Sequence, residues 1–161
     1  MTIKDVTNVL FIKDKSVLLG LKKRGFGTNK YNGFGGKLKP GETIEQAAIR
    51  EAIEESGLTP LEYEKYAIID FPDSYPLRMH VYVCTKWAGE PKESDEMIPK
   101  WFAFDQVPYD HMWEDDAHWL SLVLGGKKIR ASFTFEHSSD FDGTAMNHVT
   151  HQAIIEVNHL D

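Results

Sequence analysis

Residues 36–58 read GKLKPGETIEQAAIREAIEESGL, and this stretch decides how the rest of the 161-residue chain is understood. Pro40 and Gly41 break whatever precedes them, Thr43 stands three residues ahead of Gln46 in the spacing of a capping box, and Gly57 supplies a stop. The pattern predicts a helix over residues 43–56. On a wheel of about 100° per residue with Ile44 at zero, Ala47, Ala48 and Ala52 fall at about −60°, 40° and 80°. Glu51 at about −20° and Glu55 at about +20° lie inside that apolar stripe, with Glu54 at its edge at about −80°. Two acids therefore point at the protein. Ile49 and Ile53 lie on the opposite side, which predicts a helix covered on both faces.

A carboxylate buried without a partner is costly, and two of them one turn apart repel, so the pair calls for a proton or a cation. Arg50 sits to one flank with Glu54 one turn on, a poor partner for both inward acids. No His or Cys is near in sequence, and an all-oxygen site favours a hard divalent ion, Mg²⁺ or Mn²⁺. Mg²⁺ keeps waters and completes its shell with substrate phosphates, which connects this helix to the basic cluster Lys22, Lys23 and Arg24. A charge run is ordinarily a solvated face. Here the wheel argues against that reading.

Outward from the helix, residues 6–12 and 16–21 are β-branched and aliphatic runs parted by three polar residues, which predicts a hairpin. Residues 25–36 form a glycine-rich loop with room for a short strand at its end. Residues 63–71, 79–87, 99–104 and 129–136 read as strands, 115–124 as a helix closed by Gly125 and Gly126, and 149–157 as strand or helix. The helices fall between groups of strands, so the fold class is α+β, a mixed sheet between helices, in one domain over residues 1–161.

Composition narrows the partners. The net charge of −7 argues against nucleic acid polymers, whose binding rests on basic surface. No apolar run suits a membrane span and the N-terminus lacks the order of a secretory signal, so the expected setting is the cytoplasm, with the nucleus or mitochondrion added in a eukaryote. Cys84 is the only cysteine and reads as a small buried apolar residue, and the seven histidines read as surface or tail. The protein is expected to be a monomer.

The quoted stretch resembles the Nudix box: Gly, five residues, Glu, seven residues, Arg-Glu, an aliphatic, any residue, Glu-Glu, any residue, Gly, aliphatic. Gly36, Glu42, Arg50, Glu51, Glu54, Glu55, Gly57 and Leu58 fill its fixed positions, and Ala52 stands where a larger aliphatic is usual. KKRGFG at 22–27, NGFGGK at 32–37, SDEM at 94–97 and FDQVPYDHMWEDD at 104–116 resemble the branch of the family that hydrolyses oxidised purine nucleoside triphosphates. Tyr31, where that branch carries Trp, Glu114, where it carries Pro, and a longer tail are departures outside the box.

The resemblance implies a Nudix fold and Mg²⁺-dependent hydrolysis of nucleotides such as 8-oxo-dGTP and 2-oxo-dATP to monophosphate and pyrophosphate. It implies metal ligands at Glu51, Glu54, Glu55, Glu96 and the Gly36 carbonyl, with Glu54 or Glu96 handling the attacking water. Glu42 and Arg50 would support the box, and Lys22 would meet the triphosphate. Base reading would fall to Asn32, Trp113, Asp115 and Asp116, with Phe26 and Phe71 as walls and Thr7 in the lining. An 8-oxopurine carries a hydrogen on N7 where guanine has an acceptor, so a carboxylate is a suitable reader, and two crowded acids can share a proton unequally. The alternatives are a Nudix hydrolase of another nucleoside diphosphate derivative, such as a methylated purine nucleotide, dinucleotide or nucleotide sugar, and a nucleotide-sensing module without catalysis.

Overall fold

The computed structural model describes residues 2–73, 76–135 and 148–160. Strands β1 (Lys4–Lys13) and β2 (Ser16–Lys22) form the expected hairpin. Its turn places Asp14 and Lys15 at φ 51° and 58°, the left-handed geometry whose twist matches that of the two strands. The two strands pair only from Phe11–Lys13 to Ser16–Leu18. Past that point β2 pairs with β3 (Tyr31–Asn32) on the same edge and with β6 (Met97–Ala103) along the other. Residues 33–37 fill the resulting fork, bridged to β1 from Phe34 to Val9 and from Lys37 to Val6.

On its far side β1 runs parallel to β5 (Leu77–Ala88), which pairs antiparallel with β4 (Thr59–Phe71). Then β4 runs parallel to β7 (Ile129–Phe135), and β7 antiparallel to β8 (Val149–Glu156). The sheet is mixed, in the order β3-β2-β1-β5-β4-β7-β8 with β6 branching from β2.

Helix α1 (Ile44–Ser56) has both halves of the capping box, Thr43 Oγ1 accepting from Gln46 N–H at 3.1 Å and Gln46 Oε1 accepting from Thr43 N–H at 2.9 Å. Gly57 ends it at φ 80°. α1 packs Ala48 and Ala52 on Val9, Phe11, Leu18 and Tyr82. Helix α2 (Asp116–Leu124) lays Trp119, Leu120 and Val123 on Leu10, Leu19 and Val81 across the other face, each such burial contributing about 1.5–3 kcal/mol. Alternation along β1 thus sends Thr7, Val9 and Phe11 toward α1, and Asn8 and Leu10 toward α2.

The expected α+β sandwich is present, with some differences at element ends, one open alternative decided and one expectation overturned. β4 starts at Thr59 rather than 63, continuing almost directly from α1. The tail over 149–156 is a strand, since the free edge of β7 offers it a ladder, and Glu136 lies outside the described residues. Ile53 is 42 % exposed and Ile49 half-buried, so the outer side of α1 is not covered as its inner side is.

Candidate active site

The fork in the sheet makes room for the backbone of residues 33–37 beside β1. A Cβ on Gly35 would stand 1.8 Å from the Thr7 carbonyl oxygen, and one on Gly36 would stand 2.8 Å from the carboxyl carbon of Glu51. Glycine at both positions lets this loop slide between β1 and α1. Gly35 N–H donates to Glu55 Oε1 at 2.8 Å, and Thr7 Oγ1 lies 3.3 Å from both the N and O of Gly36. A cleft of about 400 Å³ opens there, lined by Lys22, Gly36, Glu51, Glu54, Glu55 and Glu96 together with Gly35 and Lys37.

The four carboxylates differ in surroundings. Glu55 is 5 % exposed, and burial pushes its carboxyl up to about 7, with the nearby Glu51 adding to the rise and the Gly35 N–H opposing it. Arg50 forks onto Glu42 at 2.7 and 2.9 Å, reaches Glu51 at 2.9 Å and Glu54 at 3.3 Å, and donates to the Lys37 carbonyl at 3.1 Å. The Arg50 guanidinium holds Glu42 down to about 2, while Glu42 in turn raises Arg50. Arg50 therefore does partner one inward acid, because its long side chain curls back along the helix surface.

Glu96 arrives from the loop before β6. Ser94 Oγ donates to the Glu55 carbonyl at 3.0 Å, which folds that loop over the end of α1. Glu96 then takes Lys22 at 3.1 Å and Arg24 at 2.9 Å, and Lys23 takes Glu93 at 2.7 Å. Arg24 first and Lys22 second hold the Glu96 carboxyl below its usual range. The basic cluster thus meets acids of this one loop.

The residues fit a hard divalent cation. Every donor is a carboxylate or carbonyl oxygen, and a cation would offset the burial and the neighbouring charges of Glu51 and Glu96 that raise the Glu55 carboxyl. Among the described residues no three His, Cys, Asp or Glu groups are gathered closely enough to grip an ion; Arg50 bridges Glu51 and Glu54, while Lys22 and Arg24 take Glu96.

Across β1, on the α2 side, lies a second acidic group. Asp115 and Asp116 are 4 % and 7 % exposed. Asp115 stands at the helix start without capping it; its Oδ2 instead accepts from Trp119 Nε1–H at 2.8 Å. Burial raises both carboxyls, Asp115 to about 6, and the Asp115 charge adds to the rise at Asp116. Asp116 and Asn32 line one cavity of about 10 Å³ with Asn8 and Gly33, room for a single water. Two residues before Asp115, Trp113 stacks on Phe26 at 5.1 Å and 20°, with Lys30 Nζ 4.7 Å from the indole centre.

A NUDIX domain profile matches residues 2–123. The chain belongs to the Nudix family. It is 47 % identical over 138 residues to the oxidized purine nucleoside triphosphate hydrolase of Danio rerio, covering 84 % of this chain and 88 % of that one. It is 44 % identical over 133 residues to the Mus musculus protein of the same name, covering 81 % and 85 %. In fold it is similar to the MutT protein of Bacillus halodurans, with a TM-score of 0.74 at 24 % identity over 94 % of this chain and 97 % of that one.

Within this Nudix frame the histidine reading needs correction, and two candidate site residues stand elsewhere than the α2-side cavity. Thr7 is on the α1 side, bonded to Gly36, and does not line the α2-side cavity; strand alternation puts Asn8 there instead. Phe71 does not wall the cavity either: it stacks with Phe133 and Phe135 at 6.3 and 6.1 Å inside the α2-side core. The histidines are not all surface or tail groups without fixed partners. His80 is buried with Nε2 2.8 Å from Asp5, and His148 Nδ1 lies 2.7 Å from Glu114. Cys84 is buried and free, as expected. Sequence reasoning missed Lys37 and Asn8, both of which face a cleft only because the sheet splits.

Proposed function

We propose that residues 1–161 act as one domain, a monomeric nucleoside triphosphate diphosphatase that hydrolyses oxidised purine nucleotides such as 8-oxo-dGTP and 2-oxo-dATP to the monophosphate and pyrophosphate. The observation that carries this reading is the gathering of Lys22, Gly36, Glu51, Glu54, Glu55 and Glu96 around one cleft, a single strand away from the buried pair Asp115 and Asp116. A nucleotide lying across β1 would put its phosphates in the first and its base in the second. The names of the zebrafish and mouse relatives supply the substrate class.

Glu51, Glu54, Glu55, Glu96 and the Gly36 carbonyl would hold Mg²⁺, or Mn²⁺ in its place. When bound, the ion supplies charge stabilisation for the phosphate oxygens on which negative charge develops. The chain's own groups do the rest. Lys22 turns from Glu96 toward the polyphosphate, and Glu42 with Arg50 fixes the loop that carries Gly36. Glu54, about half exposed at the rim and touched by Arg50 only at 3.3 Å, takes the proton from the attacking water in preference to Glu96, whose carboxyl is held low by two cations. Asn32, Asp115 and Asp116 read the base, with Asp115 charged against the Trp119 N–H and Asp116 protonated as a donor. No described helix is long and apolar enough to cross a membrane. Removal of miscoding precursors from the cytoplasmic nucleotide pool would be the benefit to the cell.

Steady-state kinetics with 8-oxo-dGTP, 2-oxo-dATP, dGTP and dATP, with and without chelator, tests the reading. A clear advantage in kcat/KM for the first two, abolished by chelator, is expected. Equal turnover of all four defeats the substrate assignment, and turnover untouched by chelator defeats the metal site.

A further inference from the structure

Asn8 is the one polar residue of the α2-side cavity that nothing in the box or its flanking motifs announces. Its side chain leaves the sheet on the face of Leu10, Asp116 and Trp119. Asn8 Nδ2 donates to Met79 Sδ at 3.7 Å, a weak acceptor, and this turns the amide carbonyl toward Gly33. That oxygen, Asn8 Oδ1, is the only buried side-chain nitrogen or oxygen among the described residues without a hydrogen-bond partner. Its position is tightly enforced. A Cβ on residue 33 would stand 1.8 Å from Asn8 Oδ1, so only glycine at 33 leaves the carbonyl where it is.

An apolar residue on this strand would pack here at no polar cost, whereas a shielded, unpaired carbonyl opposes folding and is worth retaining where a ligand pairs it. The cavity beside it holds at most one water, so a purine enters only as the cleft widens, and its edge then reaches the groups on that wall. Asn8 Oδ1 accepts only, and the carboxyls of Asp115 and Asp116 share the same face of the sheet. We infer that Asn8 is a specificity-determining residue whose carbonyl receives an exocyclic amino group of the purine base. The inference rests on the hydrolase reading above and extends it to a residue outside the motifs.

The test compares triphosphates that differ by one amino group: 8-oxo-dGTP with 8-oxo-dITP for the 2-position, and dATP with the triphosphate of purine deoxyriboside for the 6-position. The parent protein is expected to favour the aminated member of at least one pair by about ten-fold or more in kcat/KM, because a site built to pair a polar group rejects the analogue without it. In Asn8→Leu that preference collapses toward unity through KM, and the melting temperature stays level or rises. Asn8→Val, smaller and suited to a strand, takes its place if the leucine is not accommodated. A preference that survives in the folded variant, or the absence of any amine preference in the parent, overturns the inference and leaves the hydrolase reading standing. A parent without purine triphosphate turnover overturns that reading and this inference with it.

Discussion

The acids beneath α1 and the acids at the start of α2 carry the same functional group in contrasting surroundings. Glu51, Glu54, Glu55 and Glu96 border an open cleft and, apart from Glu55, are already met by arginine or lysine. Asp115 and Asp116 are buried at the start of α2, Asp116 beside a cavity fit for one water and Asp115 accepting an indole N–H. Positive charge and room on one side suit the exchange of side-chain cations for a metal ion and a polyphosphate. Scarcity of both on the other side suits discrimination, because protonation there decides which atoms donate and which accept. The contrast can be broken one side at a time.

The largest effect is expected at Glu55. Glu55→Gln keeps the size and the Gly35 N–H contact while removing the charge that a cation would answer. Pyrophosphate release should fall at least about 10³-fold, with melting temperature unchanged or higher because the buried carboxyl is gone. Near-normal turnover would show that the open cleft is not where charge stabilisation occurs.

That prediction was legible in the sequence, since the wheel alone turned Glu55 inward and the structure leaves it 5 % exposed. Helix geometry is local, and so are the capping box and the glycine stop, which is why α1 could be read closely. The same wheel failed at Ile53, because periodicity tells which way a side chain points and not what stands in front of it. Thr7 and Asn8 show the limit for strands. Alternation separates them onto two faces, but which face borders the base pocket is set by where α1 and α2 pack, and that depends on contacts far along the chain. The cations on Glu96 were hidden for the same reason: about seventy residues separate the basic cluster from the loop that meets it.

The next effect concerns the closed side, through pH. An aspartate whose pKa is higher folded than unfolded binds its proton more firmly in the native state. Its contribution to stability is fully present below about pH 4 and is lost as the pH rises through about 6 for Asp115, and the Asp116 carboxyl, raised by burial and by the Asp115 charge, contributes with the same sign. The Glu114 charge adds to the rise at Asp115, and the Asp116 charge adds to the rise of the Tyr109 hydroxyl. Asp116→Asn should flatten the fall in stability between pH 5 and 8 by on the order of 1–3 kcal/mol, read as urea midpoints at the two ends. Parallel pH profiles for the variant and its parent would mean that the pair is not held protonated by burial. The open side predicts no such gain for Glu96→Gln, whose carboxylate is stabilised in its charged form.

The smallest effect is expected where the closed side meets the tail. Glu114, next to the aspartate pair, accepts Val149 N–H at 3.0 Å and lies 2.7 Å from His148 Nδ1, so it ties the first residue of β8 to the loop bearing Trp113. Burial raises its carboxyl, but the Val149 N–H and His148 outweigh that and leave it below the usual range. The pair is solvent-accessible, and accessible ion pairs contribute about 0.2–1 kcal/mol, less in high salt. Glu114→Gln should therefore lower the urea midpoint slightly at low ionic strength, lose that difference in 1 M salt, and change KM by no more than about two-fold. A larger change in KM confined to oxidised purines would show that the tail helps to shape the base pocket. The division between an open charged cleft and a closed one would then have to be redrawn to include β8.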